Sequence, residues 1–252
     1  GPAVDARAYS RYERIYLVLA ATFVTTLVLT NIIGIKLFRA PFNPEFALTT
    51  GIITYPVTFL LTDVVCEVYG RKRANLMVLT GFGMSLLSLI LIQIASIVPG
   101  SQVWPSGNPN FETVAEMQTA FDSVFSLPGI LIFGSMTAYL VAQLTDVRLF
   151  HFIKRMTKDR HLWLRNNAST LVSQLVDTTS VILITHFYAH ALPVDPEQPI
   201  WPQLWVFIAS GYVFKATCAA VDTVPFYLGV RWLGPWLELG SEYPDESEGE
   251  RD

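Results

Sequence analysis

Apolar stretches long enough to cross a bilayer recur along this chain, and nothing else in it constrains the fold as strongly. Crossing the hydrocarbon takes about 20 mostly apolar residues in a helix, and six windows meet or approach that length: 15–37, 52–69, 75–98, 123–145, 168–189 and 204–230. With 52% hydrophobic and 15% charged residues, the chain falls well below the charged share of about 25% usual for a soluble domain. A bilayer is therefore the expected solvent. Gly, Pro, Asn and Thr inside the windows do not argue against this, because neighbouring helices satisfy the backbone groups they free.

Basic residues orient the windows, since Lys and Arg flanking a span stay on the cytoplasmic side. Arg7, Arg11 and Arg14 precede the first window, and Arg71, Lys72 and Arg73 separate the second from the third. Arg148, Lys154, Arg155, Lys158, Arg160 and Arg165 separate the fourth from the fifth, whereas 99–122 and 190–203 contain no Lys or Arg. The expected fold is an all-α integral membrane protein, a bundle of six transmembrane helices with both termini cytoplasmic. Lys36 and Arg39, at the outer end of the first window, are the exceptions and are expected to snorkel. Residues 1–14 form a short cytoplasmic segment, 15–230 the transmembrane domain and 231–252 an acidic cytoplasmic tail expected to be disordered. Gly1-Pro2 reads as a tag-cleavage scar, and no cleavable signal peptide is expected.

Several features lie outside the spans or pack within them. Phe111, Val114, Met117, Ala120 and Phe121 share a helical face in the loop 99–122, which is expected to lie on the membrane surface. Trp201 and Trp205 occupy the place of an interfacial aromatic belt. Cys66 and Cys218 fall within apolar windows and read as packing residues. Gly81, Gly83, Ser85 and Ser88 permit close helix packing, within the protein or between two copies in a homodimer. No basic stripe suggests nucleic acid.

Charged side chains inside a span are costly and so need partners, a wet cavity or a function. Asp63 and Glu67 lie one turn apart in the second window; Gln174 and Asp177 share a stripe in the fifth; Lys215 and Asp222 stand two turns apart in the sixth. On one reading Asp177 and Lys215 are an internal ion pair, and Asp146 and Asp222 terminate helices near the cytoplasmic face. On the other, Asn31, Asp63, Glu67, Gln143, Gln174, Asp177 and Lys215 line a midplane polar site suited to a flat, neutral, hydrogen-bonding solute. Proton coupling through Asp63 and Glu67 is a further expectation. The segments Leu140-Val141-Ala142-Gln143-Leu144-Thr145-Asp146 and Leu171-Val172-Ser173-Gln174-Leu175-Val176-Asp177 form a short repeat in oppositely directed spans, as inverted-repeat carriers have.

A membrane-embedded enzyme is the competing class. His186 and His190 have the four-residue spacing of a helical metal pair, but the glutamate of the H-E-x-x-H signature is missing. No hydrolase elbow or Walker loop appears. No catalytic residue, metal or cofactor is expected.

The run from Thr54 to Gly70, containing Tyr55-Pro56-Val57-Thr58 and Thr62-Asp63-Val64-Val65-Cys66-Glu67-Val68-Tyr69, followed by Arg71-Lys72-Arg73-Ala74, resembles the hallmark second helix of the queuosine precursor transporter family, also called the vitamin uptake transporter family. The likeness continues through Gln143-Leu144-Thr145-Asp146, Ala168-Ser169-Thr170 with Asp177, and Tyr212-Val213-Phe214-Lys215, and covers about residues 12–233. It implies a six-helix carrier in the bacterial inner membrane that imports 7-deazaguanine precursors of a modified tRNA nucleoside, with the purine-like base and membrane lipids as its partners. An importer of another vitamin-like heterocycle is the alternative.

Overall fold

In the computed structural model, residues 6–237 are described except 35, 41–42, 126–128, 159, 189, 191 and 193. Residues 1–2, expected to be a tag scar, and the acidic part of the tail therefore lie outside the described residues. Helices dominate: α1 (Ala6–Ile33), α2 (Gly51–Ile97), α3 (Val114–Phe125), α4 (Gly129–Met156), α5 (Leu162–Phe187) and α6 (Ile200–Leu237). Four of them contain stretches long and apolar enough to cross a membrane, at Tyr9–Ile33, Ile53–Ile97, Leu162–Phe187 and Ile200–Pro235. Large apolar side chains face outward along them, Leu17, Leu76, Ile90, Val213 and Leu228 among them. An apolar exterior of this kind suits lipid, and the chain is a multi-pass membrane protein.

One small element departs from the helical expectation. Between α1 and α2, strands β1 (Leu37–Ala40) and β2 (Asn43–Thr49) pair antiparallel, Leu37 opposite Thr49. α1 ends at Ile33, so Lys36 and Arg39 stand beyond it, with Arg39 in β1.

The 47 residues of α2 do not form one rod, because the chain folds back at Gly70 (φ 79°, ψ 176°). That backbone conformation is open almost exclusively to glycine, which has no Cβ to clash. The contacts with α1 show the reversal. Tyr12 packs on Tyr69 with ring centroids 4.4 Å apart, and Thr30 Oγ1 lies 2.6 Å from Thr54 Oγ1, so residues 51–69 run antiparallel to α1. Tyr16 donates to the Arg73 carbonyl at 3.0 Å, and Phe23 lies against Gly81, so residues 71–97 run parallel to it. Arg73 clasps the turn: it binds both Glu13 carboxylate oxygens, at 3.0 and 2.5 Å, and lies over the Tyr12 and Tyr16 rings.

The remaining helices pack by the same alternation. Ser173 reaches Asp146 and Ile184 reaches Gly134, so α5 runs antiparallel to α4. Lys215 meets Asp177 while Thr223 meets Asn167, so α6 runs antiparallel to α5. Six long helical stretches thus alternate in direction along the chain. α3 caps one end, where Gln118 Nε2 donates to the Ser96 carbonyl at 3.1 Å and Ser96 bonds Asp122. Its start is a capping box: Glu116 accepts the Glu112 and Thr113 N–H groups, and the Thr113 hydroxyl accepts from the Glu116 N–H.

The apolar core gathers Phe23, Val65, Met77, Phe150 and Phe226 at the α1–α2–α4–α6 junction. Cys66 is buried in it and Cys218 is half-buried, both as free thiols.

Candidate functional site

Helical spacing places Tyr55, Thr58, Phe59, Asp63 and Glu67 along one side of α2, and Tyr139, Gln143 and Asp146 along one side of α4. α5 faces both with Asn166, Thr170, Ser173, Gln174 and Asp177, all buried. With 51–69 and α4 running one way and α5 the other, these side chains meet as a ladder of polar rungs.

The rung at the Gly70 end is ionic. Arg165 lies 2.5 Å and Lys154 3.8 Å from opposite oxygens of Glu67. Arg165 is only 2% exposed and lies over the Phe150 ring. Its expected place in a solvated loop is thus corrected: α5 begins at Leu162 and carries Arg165 into the interior, where Glu67 neutralises it. Glu67 is correspondingly drawn into this cluster, away from pairing with Asp63.

One turn further along, Thr170 donates to Asp63 Oδ2 and Ser173 to Asp146 Oδ1, both at 3.1 Å, and the two carboxyl groups lie close enough to interact directly. Asp146 is fully buried here. The expectation that Asp146 and Asp222 terminate helices is overturned, because α4 continues to Met156 and α6 to Leu237.

The third rung is amide and aromatic. Gln143 Nε2 lies 2.6 Å from the Tyr139 hydroxyl, and the rings of Tyr55 and Phe59 pack edge-on against Tyr139 at 5.6 and 6.3 Å. Gln174 is buried alongside in α5. At the fourth rung Lys215 Nζ lies 2.7 Å from Asp177 Oδ2 and 4.3 Å from the Tyr55 ring centre. Asn31 stands apart: it is half-buried on α1 beside Thr30, and none of the described contacts ties it to the ladder.

The ladder is rich in acceptors. Asp63 Oδ1, Gln143 Oε1, Asp146 Oδ2 and Gln174 Oε1 are all buried without a hydrogen-bond partner. Orphaned buried acceptors are unfavourable, and several within one cluster call for an incoming donor-bearing solute, water or protons. Tyr55, Thr58, Tyr139 and Ser173 belong to this cluster although sequence reasoning passed over them. The i, i+4, i+7 spacing of Tyr139, Gln143 and Asp146 was a signal for Tyr139 alone.

The histidine pair does not form a helical motif. α5 ends at Phe187, and His190 lies beyond it with φ 49°, off the face that bears His186.

A bundle of long apolar helices around a buried polar ladder defines a membrane carrier. Residues 49–229 match a family model described as "Putative vitamin uptake transporter". The chain is 33% identical to a probable queuosine precursor transporter of Bacillus subtilis, over 77% of this chain and 76% of that one. It is 25% identical to one from Haemophilus influenzae over 86% and 82% of the two chains, and 24% identical to the queuosine precursor transporter of Escherichia coli over 72% of each. No solved structure matches. The chain belongs to the vitamin uptake, or queuosine precursor, transporter family, and it is a transporter and not an enzyme.

Proposed function

We propose that this protein imports queuosine precursors, 7-deazaguanine bases such as 7-cyano-7-deazaguanine or 7-aminomethyl-7-deazaguanine, across the bacterial inner membrane. The carrying observation is the set of buried, unpartnered acceptors on Asp63, Gln143, Asp146 and Gln174. A 7-deazaguanine presents a flat ring with ring N–H and amino donors, the complement of such a set. The names of the three relatives point to the same solute class.

In this reading the six alternating helical stretches are six membrane crossings with both termini cytoplasmic. Asp63, Gln143, Gln174 and Asp177 bind the base near the midplane, Lys215 balances buried carboxylate charge, and Glu67 and Asn31 border the site. Alternating access exposes the ladder to each side in turn, and two copies pair as a homodimer. Gly83, half-buried and with no atom within 4 Å of an added Cβ, leaves room for a neighbouring helix.

The test is binding of a panel of 7-deazaguanines, guanine and unrelated vitamins to purified protein, by thermal shift and calorimetry, followed by uptake into proteoliposomes. Selective stabilisation by one or two deazaguanines and recovery of the intact base inside the vesicles is the expected result. Folded protein that ignores every purine-like base removes the proposal, and a response to another heterocycle redirects it.

A further inference from the structure

Asp63 and Asp146 are held by adjacent positions on one helix. Thr170 Oγ1 lies 3.1 Å from Asp63 Oδ2, and Ser173 Oγ lies 3.1 Å from Asp146 Oδ1. Residues three apart are neighbours on a helix surface, so α5 brings a carboxyl from α2 and one from α4 side by side. Each hydroxyl also reaches a main-chain carbonyl of its own helix, that of Asn166 at 2.8 Å and that of Thr170 at 3.0 Å. A hydroxyl carries one proton, so each carboxyl shares its only donor with a carbonyl. The other two oxygens, Asp63 Oδ1 and Asp146 Oδ2, are buried without a partner. Charge sharpens the shortage. Arg165 and Lys154 serve Glu67 and Lys215 serves Asp177, whereas the described ion pairs give no cation to Asp63 or Asp146. Two buried carboxyls side by side are costly unless a cation or protons join them. A second set of groups flanks the pair on the same buried stripe of α5. Asn166, one turn before Thr170, and Gln174, one turn after it, each leave one amide end unpartnered.

We propose that Asp63 and Asp146 are the specificity-determining residues for the group at position 7 of the base, pairing with a protonated aminomethyl group and refusing a cyano group. The inference rests on the transport reading above and names which of its two bases fits. An ammonium brings three N–H donors, no acceptor and one positive charge, the complement of two donor-poor carboxyls. A nitrile brings only an acceptor, so its nitrogen would face carboxylate oxygens lone pair against lone pair. The polar edge of the ring is left to the amides, whose ends donate or accept as the base requires. A bare metal ion would satisfy the carboxyls alone, whereas an ammonium carried on a polar ring satisfies both sets at once. One ammonium neutralises one carboxylate and leaves the other for a proton, so solute and coupling proton occupy the pair together.

Calorimetry on the purified protein with 7-aminomethyl-, 7-hydroxymethyl- and 7-cyano-7-deazaguanine tests the inference, because the three share one ring and differ only at position 7. The wild type is expected to bind the aminomethyl base about 100-fold or more tightly than the cyano base, with the neutral hydroxymethyl base between them. Asp63→Asn and Asp146→Asn keep the shape and remove one charge, and each is expected to lower that ratio by about tenfold, through weaker binding of the aminomethyl base. A ratio unchanged in folded Asp63→Asn and Asp146→Asn overturns the proposal. If neither variant folds, the hydroxymethyl base decides on the wild type: affinity equal to that of the aminomethyl base shows that charge is not read and overturns it. A wild type that binds the aminomethyl and cyano bases equally, or favours the cyano base, overturns this inference and leaves the transport reading standing; a folded wild type that binds none of the three overturns that reading and this inference with it.

Discussion

Lys215 Nζ lies 2.7 Å from Asp177 Oδ2 and 4.3 Å from the centre of the Tyr55 ring, so a single ammonium ties α6 to both α5 and α2. The two side chains are 13% and 3% exposed. At that depth, removing one partner leaves a charge without its counterion, at a cost of about 3–5 kcal/mol. Asp177→Ala and Lys215→Ala are expected to abolish uptake while the protein remains in the membrane; normal uptake by both would sink the site assignment. The double variant Asp177→Asn with Lys215→Met removes both charges together and is expected to regain thermal stability without regaining uptake. Recovery of uptake as well would make the pair purely structural.

Glu67 serves Arg165 first. Replacing it by Gln removes the carboxylate that Arg165 approaches at 2.5 Å in the interior, and the expected loss of stability is about 3 kcal/mol. Thermal unfolding should show the change clearly, whereas the affinity for base should move much less. A Glu67→Gln protein of normal stability and weakened binding would reverse that order and return Glu67 to the substrate.

Asp63 and Asp146 stand where a coupling proton can rest, held by Thr170 and Ser173. The groups around the pair are Glu67, Arg165 and Lys154 on the Gly70 side, Asp222 on α6, and Asp177 with Lys215 on the far side. Uptake into vesicles is expected to rise when an inward proton gradient is imposed, and Asp63→Asn or Asp146→Asn should flatten that response. Uptake indifferent to the gradient in the wild type would remove the coupling role.

The approach of α1 to α2 depends on Gly81. A Cβ there would stand 2.6 Å from a Phe23 ring carbon and 3.0 Å from a Leu27 methyl carbon, whereas one at Gly83 meets nothing within 4 Å. Gly81→Ala is therefore expected to destabilise the protein by about 1–3 kcal/mol through overpacking. Gly83→Ala should be nearly silent in the isolated protomer, and a change in oligomeric state at Gly83→Leu would mark a contact between copies. Melting temperature and light scattering of the two series decide both points.

Backbone N–H groups of Glu112 and Thr113 hold the Glu116 carboxyl below its usual range. A carboxyl whose pKa is lowered by folding contributes stability that is present above its unfolded value, and that stability is lost as pH falls through the folded value. Hydrogen exchange across α3 should therefore slow from acid to neutral pH after correction for the intrinsic rate. In Glu116→Gln this dependence should weaken while the remaining helices behave as before. Exchange in α3 with the same corrected profile in both proteins would contradict this.

Apolar length and the positions of Lys and Arg are properties of the chain read in one dimension, so the long helices, their alternating directions and the membrane setting were legible from it. The turn at Gly70 was legible too, as the basic run after the second window. Helix ends were less so: α4 runs to Met156 and α5 starts at Leu162, and within these ends Lys154 and Arg165 meet Glu67 instead of being left to water. The depth at which helices pack against one another decided the rest. Arg165 meets Glu67 across 98 residues and Thr170 meets Asp63 across 107. Whether a carboxylate pairs with a cation or with another carboxylate depends on which rungs lie level, and a shift of one turn would exchange those partners. Tyr139 keeps helical spacing with Gln143 and Asp146, but spacing along one helix does not say what its side chain meets across the bundle. Only the packing of α4 on α2 sets the Tyr55 and Phe59 rings edge-on against Tyr139, because contacts between helices depend on depth and rotation that the order of residues does not carry.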